Sequence, residues 1–190
     1  MNTEQRIDAV CEFLRENVAK GLLLKKAFDD DMNRVEWVEP SVYPLYLPRP
    51  VSGRDWKEAA APGIVVSIIK DSRENMEGLL TLRIGVIVWD PGTRRELPPN
   101  EEEPAQPIIV TDMNRDGWRA LYTTMEAVEN ALTRQHSIFD MVVTPPIVHT
   151  PFTDGDYVPD LRPYYIGQLD VPMVYQMPRR VGRDIGKLLE

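Results

Sequence analysis

Residues 162–178 read RPYYIGQLDVPMVYQMP. Leu169, Val171, Met173, Tyr175 and Met177 fall on one face of an extended chain, and Gln168, Asp170 and Gln176 fall on the other. This is the period-two pattern of a strand with one dry and one wet side. Pro172 interrupts it, because proline has no N–H to give to a ladder and is tolerated at a sheet edge or where that N–H would point away from a partner. The stretch therefore predicts a closing strand at or next to a sheet edge. Its apolar residues Leu169, Val171, Met173 and Tyr175 should pack on the helix expected over residues 117–133.

The partners of that strand lie upstream. GIVVSIIKD (63–71) is a continuous β-branched run, as expected of a central strand covered on both faces. LLTLRIGVIVWD (79–90) alternates strictly, with Leu80, Leu82, Ile84, Val86 and Val88 on one side. The polar link SRENMEG (72–78) predicts that the two form an antiparallel hairpin. NRDGWRALYTTMEAVENALTRQ (114–135) predicts a helix capped by Asp116, with a buried stripe of Trp118, Leu121, Tyr122, Met125, Val128 and Leu132. A first helix is expected from Ile7, Val10, Cys11, Leu14 and Val18, with Thr3 as N-cap and Gly21 as stop. FDMVVTPPIVHTPF (139–152) reads as a strand broken by two prolines. Hairpins mixed with helices predict an α+β domain, an antiparallel or mixed sheet with helices on one face plus extended loops.

The chain is expected to be a single domain over 1–190. Residues 1–62 supply the first helix and a Pro-rich connector in which 42–47 is extended, and 63–178 supply the core. PGTRRELPPNEEEPAQP (91–107) has little apolar surface to offset its ordering, so an acidic mobile loop is expected over 92–107. Residues 179–190 form a basic tail.

Bulk properties narrow the function classes. The formal charge is −8, from 30 acidic and 22 basic residues, which argues against general nucleic-acid binding, since phosphate affinity comes mainly from Lys and Arg. A single cysteine excludes an internal disulfide and points to a reducing folding compartment. No apolar run is long enough for a membrane helix, and MNTEQRIDAVCEF lacks a signal-peptide core.

Catalytic signals are sparse. His136, His149 and Cys11 sit in separate segments, and Cys11 falls in an apolar stripe. Soft zinc ligands are too few for a site, and no phosphate-cradling glycine loop or nucleophile elbow occurs. The runs 29–31 and 101–103 are consecutive carboxylates, whose side chains diverge and are normally solvated. Pro159, Asp160 and Asp170 have the spacing that opens a restriction-type nuclease motif, but Pro172 stands where that motif places its lysine. A metal-dependent nuclease is thus the remote alternative, and no catalytic, cofactor or metal residue is assigned. The candidates instead suit protein contact: the Pro-stiffened tyrosines Tyr43, Tyr46, Tyr164 and Tyr165, and the basic pairs Arg94, Arg95 and Arg179, Arg180.

The order of motifs carries a resemblance. An apolar strand, a second strand ending IVWD, a helix opening DGW, a proline-containing strand and a terminal PYYIGQLDVPMVYQMP together resemble the tail terminator (tail completion) proteins of lambda-like long-tailed bacteriophages. The likeness spans roughly residues 63–178. The loop over 91–113 is longer and more acidic than the family pattern, and the segment 28–62 is extended. The resemblance implies a structural virion protein without cofactor or catalysis. It would form a ring, usually a hexamer, on the head-proximal end of the tail tube, end tube polymerisation and present the head-tail joining surface. Its partners would be copies of itself, the tail tube protein and the head-tail connector, with DNA only in passage and no membrane. The protein would assemble in the host cytoplasm and reside in the virion. Another neck or head-completion adaptor is the alternative. Six copies would carry 6 × −8 = −48 charges, a field that repels DNA moving through a central channel.

Overall fold

The computed structural model describes residues 2–28, 30–47, 55–74, 76–97, 108–112, 115–135, 137–154 and 156–177; within 93–97 and 108–112 only the backbone is described. Helix α1 (Thr3–Leu14) continues through one π-helical turn (Arg15–Ala19). The connector holds β1 (Leu24–Lys25), β2 (Trp37–Val38), β3 (Ser41–Pro44) and the short helix α2 (Trp56–Ala60). Two long strands follow, β4 (Gly63–Glu74) and β5 (Glu77–Trp89), then β6 (Thr93–Leu97), β7 (Ile108–Asp112) and helix α3 (Asp116–Arg134). The chain closes with β8 (Met141–Val143), β9 (Val148–Pro151) and β10 (Tyr164–Gln176). The main sheet runs β3-β4-β5-β10-β8, with β9 also on β10, so the fold is α+β as expected. Among the described strands only β3–β4 is a parallel pair.

β10 pairs with β5 over its whole length, from Tyr164 opposite Trp89 to Gln176 opposite Glu77. Its other side is shared, by β9 over Gly167–Asp170 and by β8 over Met173–Tyr175. Pro172 lies in the gap between them, and its carbonyl accepts the N–H of Thr144 at 2.8 Å. N–H and C=O of one strand residue point the same way, so the missing donor faces this gap and not the β5 ladder. The prolines Pro145 and Pro146 separate β8 from β9 and so create the interval that Pro172 occupies.

One face of the sheet is the core. Leu80, Leu82, Ile84 and Val86 of β5, Leu169, Val171 and Met173 of β10, and Ile64 and Val66 of β4 are buried under α1 and α3. The two helices contribute Ile7, Val10, Cys11, Leu14, Leu121, Met125, Val128 and Leu132, so the core extends beyond 63–178 to the N-terminal helix. Gly167 lets α3 approach, because a Cβ there would stand 2.6 Å from the Met125 sulfur. A second cluster of Ala27, Ala60, Ala61, Ile87, Trp89 and Tyr164 covers one end of the opposite face beneath α2 and the connector.

Several expectations need correction. The α1 cap is Asn2, whose Oδ1 accepts the Gln5 N–H at 2.8 Å while Gln5 Oε1 accepts the Asn2 N–H at 3.0 Å. Thr3 donates its hydroxyl to Asp71 instead, at 2.8 Å. Asp116 lies inside α3 rather than capping it and pairs with Arg119, while the N-cap Arg115 makes no side-chain cap bond. Tyr122 is exposed and Trp118 only half-buried; Gly117 and Thr124 complete the buried stripe. β4 is not covered on both faces along its whole length, since Ile68 and Ile69 are exposed around a bulge; at its edge β3 pairs with Gly63–Val66. Part of the expected loop is ordered as β6, paired with β7; residues 98–107 lie outside the described residues.

Tyr175 is the exception to packing on α3. Its ring sits under the guanidinium of Arg6 in α1, 3.5 Å from centroid to Cζ. Below it Gly78 leaves room, since a Cβ there would stand 2.0 Å from the ring. The buried Arg6 pairs bidentately with Asp140, its closer contact being 2.8 Å. The Tyr175 hydroxyl donates to Asp71 at 2.7 Å and accepts from Arg73 Nε at 3.1 Å. Burial pushes the Asp71 carboxyl up, but hydrogen bonds from Tyr175, Thr3 and Arg73 outweigh it and leave its pKa below the ordinary value. The cluster ties α1, the β4–β5 hairpin and β10 into one unit.

A carboxylate at position 171 would be desolvated without a partner, so Val171→Asp is expected to yield no soluble folded protein, measured by expression and circular dichroism; normal melting would contradict the packing of β10. Because the folded pKa of Asp71 is depressed, its contribution is complete above the unfolded value of about 3.9 and fades as pH falls from there through the folded value. Chemical denaturation between about pH 2 and 5 should therefore show a shallower acid loss for Asp71→Asn than for the parent chain.

Candidate interaction surfaces

Asp90, the last residue of IVWD, organises one end of the sheet. It is 4% exposed, and Oδ1 accepts from Lys25 Nζ at 2.8 Å and from the Gly92 N–H at 3.1 Å. Its own N–H donates to the Pro163 carbonyl at 2.9 Å, which holds the start of β10 beside the end of β5. Gly92 has φ of 77°, a left-handed turn that suits glycine, and the β6–β7 ribbon begins at the next residue. Arg94 and Arg95 lie on this ribbon, opposite Thr111 and Val110.

The DGW and PYYIG segments meet at the same end. Tyr165 stands edge-on to Trp118, with centroids 5.4 Å apart, and covers Gly117, where a Cβ would stand 2.1 Å from the ring. Burial first, then the nearby Asp90 carboxylate, pushes the Tyr165 phenol above its ordinary pKa. Tyr164 pairs across the sheet with Trp89 in the second cluster. Both tyrosines are 5% exposed, so within one subunit they are packing residues rather than the surface contacts expected of them. Their alternation with Ile166 and Gly167 puts them on opposite faces, and each face at this end has a cover.

The remaining candidates separate. Tyr43 is half-buried on the edge strand β3, and Tyr46, just beyond it, is 80% exposed. Arg179 and Arg180 lie outside the described residues, but the chain reaches them from the hairpin end, where the Met177 N–H donates to the Met76 carbonyl at 2.8 Å.

An open hollow of about 450 Å³ lies at the start of α3, lined in part by Arg115, Trp118, Phe152, Asp160, Arg162 and Tyr165. Asp160 is held to a pKa of about 2 by hydrogen bonds from the Arg162 side chain and then its backbone N–H. The hollow thus combines aromatic walls with an arginine already compensated by its own carboxylate. Only the short Asp-x-Arg spacing hinted at this pair.

The nuclease-like carboxylates are not brought into one open site. Asp170 accepts two hydrogen bonds from Arg83 across the sheet, at 2.8 and 2.9 Å, while Asp160 is engaged by Arg162. Among the described residues no group of three or more His, Cys, Asp or Glu side chains is placed to hold a metal. Burial raises the Cys11 thiol to about 11, which keeps it protonated at neutral pH. His149 Nε2 lies 2.9 Å from Glu129 Oε2 but without hydrogen-bond alignment, and His136 is outside the described residues.

Removing the Asp90 carboxylate leaves a desolvated Lys25 ammonium and an unsatisfied Gly92 N–H. Asp90→Ala is expected to lower unfolding free energy by about 2–3 kcal/mol, read by urea denaturation; an unchanged midpoint would remove Asp90 from its organising role. Comparison with known proteins adds no assignment, since no family model matches the chain and no curated protein matches it significantly.

Proposed function

We propose that this chain is a structural subunit of a phage tail, a tail terminator that closes into a ring on the head-proximal end of the tail tube and provides the head-tail joining surface. The observation that carries the reading is the convergence of the motifs behind the resemblance. IVWD ends β5, DGW opens α3 and PYYIG opens β10; Asp90, Trp118 and Tyr165 come together at one end of the sheet. Segments far apart in sequence are thus the parts of one construction. They would be expected to recur together in any protein that shares it.

The surface supports a role in contact. The main sheet has long strands, and the β6–β7 ribbon leaves one end as a separate two-stranded sheet. Exposed Tyr46 sits just past the edge strand β3. A subunit with different features at its two ends suits head-to-tail contacts, which close into a ring when the rotation per subunit divides a full turn. Terminator subunits would meet the tube on one face of that ring and the connector on the other, and the acidic balance of the chain would keep passing DNA from adhering.

Electron microscopy of tails assembled with and without the protein tests this. Loss is expected to give tubes of uncontrolled length, and adding back the purified chain should restore a fixed length. Normal-length tails in its absence would reject the terminator role, and heads that fail to mature while tails stay normal would favour the head-completion adaptor. Magnesium-dependent cleavage of plasmid by the purified protein would reject a purely structural role.

A further inference from the structure

Tyr165 brings a buried hydroxyl to the hollow at the start of α3 without giving it a partner. The residue is 5% exposed and forms part of the hollow's wall. Among the described residues its hydroxyl makes no hydrogen bond, whereas that of Tyr175 both donates and accepts. Unlike the sealed, unpaired Trp89 Nε1 and Thr150 Oγ1, it keeps contact with open space, which here is the hollow. The raised pKa keeps the phenol protonated at neutral pH, so it is a donor that lacks an acceptor. A buried polar group in that state calls for a physical reason.

The charges around it supply one. The carboxylates whose fields reach the phenol are Asp90, Asp160 and Asp116. Each already has a cation: Lys25 stands 2.8 Å from Asp90, Arg119 stands 2.9 Å from Asp116, and Arg162 engages Asp160. Arg115, the N-cap of α3, also lines the hollow. It is exposed, and among the described residues its side chain has no ion-pair or hydrogen-bond partner. Compensation is thus complete except at Arg115. The hollow is left with one positive charge, one free donor and the apolar surface of Trp118 and Phe152. The chain's charge of −8 opposes an anion at a distance. Salt screens that field over about 8 Å, while Arg115 acts in contact.

We propose that this hollow docks a segment of a partner protein that carries an acidic residue beside an aromatic or aliphatic one. The carboxylate pairs with Arg115, the Tyr165 hydroxyl donates to an oxygen of the same segment, and the apolar neighbour seats on Trp118 and Phe152. A protein segment suits the place better than a free small carboxylate. The hollow is open, and its rim continues in apolar surface at Phe152, 41% exposed, and Val158, 45% exposed. The inference concerns the surface of one subunit and is independent of the assembly role proposed above.

An NMR titration of the 15N-labelled full chain with the peptide acetyl-Ser-Phe-Glu-Leu-Ser-amide tests it. Shifts are expected to saturate in the millimolar range and to centre on Trp118, including its indole N–H. The same peptide with Gln in place of Glu should bind about tenfold more weakly, as loss of one charge-assisted hydrogen bond implies. Arg115→Gln should remove the preference between the two peptides. Tyr165→Phe should weaken the acidic peptide about threefold or more, yet leave thermal melting unchanged, because the lost hydroxyl has no partner within the described residues. The proposal is overturned by the absence of a saturable shift with the acidic peptide, by equal affinity for the Gln peptide, by a preference that survives Arg115→Gln, or by full affinity in Tyr165→Phe. Hydrocinnamate binding as tightly as the peptide would also overturn it, in favour of a small-molecule site.

Discussion

The full-length antiparallel pairing of β10 with β5 is the constraint on which the rest of the structure depends. Both are interior strands, and each places a continuous row of large aliphatic side chains under α1 and α3. Because side chains alternate strictly, a slip of one residue would exchange Leu169, Val171 and Met173 for Asp170, Pro172 and Val174 on the core face. The register is therefore held by the cost of burying the Asp170 carboxylate as well as by apolar contact. The Arg83–Asp170 pair confirms it on the outer face, where the two residues stand directly opposite.

Two local devices secure the ends of this pairing. At the hairpin end, Tyr175 is held between Arg6 and the bare backbone of Gly78, and its hydroxyl joins Asp71 to Arg73. At the other end, Asp90 holds Lys25, Gly92 and Pro163 together. Each device places a carboxylate among donors from elements distant in sequence, so the elements are joined by polar groups that are costly to leave unpaired. The helices complete a core on one side, and the second cluster completes part of the other.

This arrangement bears on function through what it leaves free. The tyrosine pair that looked suited to contact is consumed in packing, whereas Tyr46, Leu79 and Val142 stand exposed. With the separate β6–β7 ribbon following one end of β5 and the β4–β5 turn at the other end, the subunit has directionality. Directionality is what the proposed ring would use to distinguish tube from connector.

The sequence by itself determined the period of each long element. The alternation in 79–90 and 164–177 and the three-and-four spacing in α1 and α3 were legible, because burial on one face leaves a pattern that local geometry dictates. The hairpin, the α+β class and the position of Cys11 in the core followed from the same signal. Where a polar or aromatic side chain goes was not legible, since that depends on partners far along the chain. Thr3 has the character of a cap, yet Asp71 takes its hydroxyl; Tyr164 and Tyr165 look like surface anchors, yet Trp89 and Trp118 wait for them on opposite faces. Pro172 shows both halves of the matter. Its lack of an N–H placed β10 near a sheet edge from sequence alone, but only the folded chain, by bringing Thr144 and the break between β8 and β9 beside it, decided on which side that missing donor would do no harm.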